Sequence, residues 1–224
     1  MNDSGKIKQR IWLSVFPSII FLTILWLIFL INISKIFPFD LKLLGILPHS
    51  LQGFLGILLA PLIHDSFSHI LSNSIPILVL SWCFFYFYRD ISYKVFGWLW
   101  LLSGLMTWII GREAYHIGAS GLIFALVFFL FISGIIRKYI PLVAISLLVV
   151  FLYGSTIWSM LPITEMVDKK ISWESHLSGA LSGVFIAMLY KNEGPQKPIK
   201  IWDEDYETEV ESEEEPENLN LNNQ

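Results

Sequence analysis

The chain repeats apolar runs of about 17 to 22 residues, each long enough to cross a ~30 Å hydrocarbon layer as a helix. They are Ile11 to Asn32, Ser68 to Tyr88, Tyr93 to Ile110, Gly118 to Ile136, Ile140 to Ile157 and Trp173 to Tyr190. Hydrocarbon offers backbone polar groups no partner, so such a run satisfies its own as an α-helix. The period-2 alternation of a transmembrane barrel is absent. The expectation is an all-α membrane protein, a bundle of six transmembrane helices. The first run is too long for a signal peptide's hydrophobic region and lacks a small-residue cleavage site, so it reads as a retained helix. Leu51 to Ile63 is apolar but only thirteen residues long and carries Gly53, Gly56 and Pro61. That length suits an interfacial or re-entrant segment or an irregular outer loop.

Charge divides the chain further. Asp203 to Glu217 holds ten of the nineteen acidic residues and no Lys or Arg. Without it, nine acids stand against fifteen Lys and Arg, a net charge of +6. The expected organisation is a polar N-terminus over residues 1–10, a membrane domain over 11–191, and an acidic tail over 192–224 with the composition of a disordered segment. With the N-terminus inside, the inner connections collect ten bases and the outer ones five (Lys35, Lys42, Arg112, Lys169, Lys170). That asymmetry places both termini in the cytoplasm. Arg112 and Glu113 read as a solvated loop pair. Cys83, the single cysteine, reads as a small buried hydrophobe.

Polar residues recur at one depth. By helical rise, Ser120 lies 17 residues or ~25 Å from Arg137, His176 lies 15 residues or ~22 Å from Lys191, and Asn73 lies 16 residues or ~24 Å from Arg89. His69 is one turn above Asn73. Such side chains are costly inside a membrane and mark function. The layer has the parts of a nucleophilic site. Ser120 needs a base to take its proton, and His176 is one suited to neutral pH. Gly179 and Gly183 form a GxxxG face that can meet Gly121 and Ala125. His69 and Asn73, at i and i+4, can both donate to an oxyanion. Asp65 and Glu174 stand near the rim, so a Ser-His dyad is expected rather than a triad. A transporter reading is disfavoured, because no chain of embedded acids or pair of broken helices is present.

Gly118-x-Ser120-Gly121, His64-x4-His69-x3-Asn73 and His176-x2-Gly179-x3-Gly183 together resemble the signature of the rhomboid intramembrane serine proteases, and they fall on the second, fourth and sixth helices as in that family. The resemblance implies Ser120 as nucleophile, His176 as general base, and the Ser120 N–H with His69 and Asn73 as oxyanion hole. His64 resembles the family's supporting histidine. Phe124 stands where many members have a Tyr packed under the base, and Leu55-Gly56 lies near the place of a missing Trp-Arg pair. The implied activity is an endopeptidase acting in or near transmembrane segments of other membrane proteins, in a bacterial inner membrane. A catalytically inactive adaptor for membrane proteins is the alternative. The partners expected are transmembrane substrates and the lipid bilayer, with no cofactor, metal or nucleic acid. The fifth run, bulky and with few polar groups, is expected to gate lateral access between the second and fifth helices.

Overall fold

The computed structural model describes residues 3–36, 38–152, 158–161 and 172–196. The acidic tail, most of the link before Trp173 and the end of the fifth apolar run lie outside these residues. Among them the chain is all-helical: α1 (Asp3–Ile33), two one-turn helices α2 (Leu51–Phe54) and α3 (Gly56–Leu59), then α4 (Phe67–Phe87), α5 (Ser92–Ile110), α6 (Ser120–Arg137), α7 (Ile140–Leu152) and α8 (Trp173–Leu189). Four of these, α1, α4, α5 and α6, are long and apolar enough to span a membrane.

α6 is the axis of the bundle. Leu122, Leu126, Phe129 and Leu130 along it are all at most 1% exposed, and α8, α7, α4 and α5 pack around it. α1 lies outside, against α4. The closest approach is between α6 and α8, where small residues let two backbones touch. A Cβ at Gly179 would collide with the Gly121 carbonyl, and one at Gly183 with that of Ala125. The pairing expected from the two small-residue stripes is therefore the one observed. Several serines and threonines inside the helices give their hydroxyls to carbonyls one turn back, as Ser81 does to Ile77 and Thr107 to Ser103, which satisfies them without solvent.

Several boundaries differ from those read in the sequence. α1 begins at Asp3, two turns before the apolar run, because Lys6, Lys8, Gln9 and Arg10 are good helix formers and nothing there breaks the helix. α6 starts at Ser120 and not at Gly118, whose φ of +103° excludes it from a right-handed helix. The apolar stretch 51–63 forms α2, α3 and a 3-10 turn rather than one span. Cys83 is half-buried and free.

The end of the bundle opposite Ser120 is tied by polar contacts. Tyr88 donates to Ser133 (2.7 Å), and Arg137 donates to Ser133 and to the carbonyls of Tyr190 and Glu193 just beyond α8. The other end is tied by backbone. Ile46 and His116 exchange two hydrogen bonds (2.9 and 2.8 Å), and Gly118 N–H donates to Ala60 O (2.8 Å). The stretch before α4 thus braces the loop that delivers Ser120 to the start of α6.

Candidate active site

Ser120 is the first residue of α6. The loop before it is shaped by Gly118, where a side chain would be strained by the positive φ and would place Cβ 2.5 Å from His69 Nε2. His69 therefore packs its ring directly against the loop before Ser120. Its other nitrogen, Nδ1, lies 3.0 Å from Asp65 Oδ1. Partial burial opposes ionisation of Asp65, but the hydrogen bond and charge of His69 outweigh it and hold the carboxyl below its ordinary range.

His64 is fully buried, with its ring edge-on to that of His69 at 4.9 Å between centroids. Asn73 Nδ2–H donates to its Nε2 (3.0 Å), and Ala119 N–H points at the same nitrogen (3.4 Å). A nitrogen that accepts cannot carry a proton, so His64 is neutral with its hydrogen on Nδ1. Burial, helped by neighbouring His69, pushes its pKa down to about 3, below the ordinary 6.5. The unfolded chain would bind this proton and the fold would not. His64 thus contributes stability above pH ~6.5 that is lost progressively as pH falls toward 3. Its bond occupies one N–H of Asn73.

His176 lies in the first turn of α8, started by Ser172, whose Oγ accepts from Ser175 N–H (3.2 Å). The imidazole stacks on Phe124 with ring centroids 4.5 Å apart and planes 17° from parallel. The loss of a tyrosine hydroxyl at 124 leaves this stacking intact. Phe124 is one turn into α6 from Ser120, and Gly179, one turn into α8 from His176, touches Gly121. Sequence-distant Ser120 and His176 are carried to neighbouring helix ends by this contact. Ser159 Oγ lies 2.7 Å from His176 Nδ1. Nothing in the sequence singled out Ser159, because no spacing relates a link serine to a helix histidine 17 residues away.

The remaining polar residues at this end are structural. His116 is buried, with Nε2–H donating to Arg112 O (3.0 Å) and Nδ1 2.5 Å from Ser172 Oγ. Burial pushes it below the ordinary histidine range. Arg112, expected in a solvated pair with Glu113, pairs with Glu174, Nε to Oε1 3.6 Å, and Glu174 is buried at 1% exposure. The pair joins the loop before α6 to the start of α8, which a reading of adjacent charges could not reveal. No cluster of metal-ligating side chains occurs among the described residues.

Residues 52–193 match the sequence model of the Rhomboid domain. The uncharacterised proteins Rv1337 of Mycobacterium tuberculosis and Mb1372 of Mycobacterium bovis are each 37% identical over 178 residues, covering 75% of this chain and 72% of theirs. The uncharacterised protein ML1171 of Mycobacterium leprae is 34% identical over 141 residues, 60% of this chain and 55% of its own length. The chain belongs to the rhomboid family and is an integral membrane protein.

Proposed function

We propose that this protein is an intramembrane serine endopeptidase in which Ser120 attacks and His176 is the base. The observation that carries the reading is the His176 ring stacked on Phe124, one turn from Ser120, at the backbone contact of α6 and α8. As Ser120 Oγ adds to a substrate carbonyl carbon, its proton passes to His176 Nε2. When the tetrahedral intermediate collapses, the C–N bond breaks and the same proton leaves with the amine. Water then repeats the sequence on the acyl-enzyme.

The oxyanion is met by the Ser120 backbone N–H, by the other N–H of Asn73 and by His69. Donors aimed at developing charge in a dry site are worth far more than in water. Substrates are transmembrane proteins whose helix unwinds locally at the site. Lateral access past α7 fits its packing: its main partner is α6, and Phe151 is 83% exposed.

The test is labelling by a fluorophosphonate in detergent, together with cleavage of a transmembrane substrate. Wild type is expected to label and cut, whereas Ser120→Ala and His176→Ala do neither while still inserting in the membrane. Equal labelling of wild type and Ser120→Ala would show that Ser120 is not the nucleophile.

A further inference from the structure

A histidine that takes a proton on Nε2 must first carry its own hydrogen on Nδ1. In water that N–H finds a solvent partner. His176 is only 4% exposed, so the partner must be supplied by the protein. Among the described residues no carboxylate does this. Glu174, two residues earlier, gives one oxygen to Arg112, and Asp65 is engaged by His69. Ser159, from the link between α7 and α8, meets the ring twice, with Oγ 2.7 Å from Nδ1 and with its backbone carbonyl.

We propose that Ser159 is the positioning residue of the catalytic base, accepting the Nδ1–H of His176 and so holding Nε2 unprotonated toward Ser120. This rests on the assignment of His176 as base. Two constraints then fix the ring. Phe124 sets its plane, and Ser159 sets its rotation within that plane and its tautomer. Without the hydroxyl, a buried Nδ1–H loses its close partner and keeps only the Ser159 carbonyl, which shifts the balance toward the tautomer with hydrogen on Nε2. That tautomer cannot accept the Ser120 proton. A hydroxyl also differs from the acid of a triad, because it orients the imidazole without placing a charge beside it in a medium where charge is costly.

The experiment compares Ser159→Thr with Ser159→Val in the full chain, reconstituted in detergent. The two side chains have nearly the same shape, so damage to packing affects both alike. Ser159→Thr should keep near wild-type kcat. Ser159→Val should lose about tenfold or more, part of the ~10²–10⁴ that a general base supplies. KM for a transmembrane substrate should be unchanged in both, and fluorophosphonate labelling of Ser120 should slow in parallel with kcat. The ring-nitrogen resonances of ¹⁵N-histidine in wild type, assigned by the loss of one set in His176→Ala, should show His176 protonated at Nδ1. Equal rates for the Thr and Val variants, fast or slow, overturn the proposal, as does a wild-type His176 protonated at Nε2. If His176→Ala still labels at the wild-type rate, the base assignment itself falls. If it does not label while the Thr and Val variants match, only the role of Ser159 falls.

Discussion

Asp65 shows how one side chain can decide what another is able to do. With Nδ1–H of His69 given to Asp65, a neutral His69 has only a lone pair on Nε2, the nitrogen against the loop before Ser120. Donation from Nε2 to the proposed oxyanion, with Nδ1–H held by Asp65, requires a hydrogen on both ring nitrogens. Asp65→Asn keeps an acceptor for Nδ1 but removes the charge. Turnover is expected to fall by about tenfold, less than the ~10²–10³ that follows loss of a whole oxyanion donor. A cleavage assay of wild type against Asp65→Asn checks this, and equal rates would reduce the pair to a helix-end contact. At this scale the sequence revealed the residues whose spacing is local. His64, His69 and Asn73 lie on one short stretch, and the i, i+4 relation puts two of them on one face. Ser159 and the Arg112–Glu174 pair were hidden, because they depend on where a loop folds back and not on a period along a helix.

At the scale of elements, the two glycines of α8 act through what they lack. A methyl at 179 would meet a rigid backbone carbonyl, so even alanine must push α6 and α8 apart. Overpacking of this kind costs about 1–3 kcal/mol. Gly97, within α5, has nothing within 4 Å of where its Cβ would lie, so alanine there gains helix propensity worth up to ~1 kcal/mol. Thermal unfolding in detergent is expected to show Gly179→Ala less stable than wild type and Gly97→Ala equal or more stable. Gly179→Ala should also lose cleavage, since the same contact sets His176 beside Phe124. Matching stabilities for the two variants would mean that the α6–α8 contact yields freely. Helix existence and partner faces were legible here, because apolar length and small-residue stripes follow from the solvent. Helix starts were less so. Gly118 belongs to a braced loop, and only the bonds from Ala60 and Ile46 reveal that the apolar run begins two residues before its helix.

Across the whole molecule, the polar contacts divide between two ends that differ in charge. Arg10, Lys94 and Arg137 gather where α4, α6 and α8 finish, and their contacts with Tyr86, Glu193 and Tyr190 place them at one level. The Ser120 end carries Arg112 in an ion pair with Glu174, and its histidines His64 and His116 are held neutral by burial. Bases near short connections are retained on the cytoplasmic side, so the base-rich end should face the cytoplasm and the Ser120 end the opposite aqueous phase. Water for hydrolysis would then enter from outside. Single cysteines test this in a Cys83→Ser background, since Cys83 is the chain's own thiol. Glu113→Cys, on the exposed loop before α6, should react with a membrane-impermeant maleimide in intact cells. Lys6→Cys and Lys191→Cys, both exposed at the other end, should react only after the membrane is opened. The reverse pattern would place the Ser120 end at the cytoplasmic face, and with it any substrate segment that the proposed activity could reach.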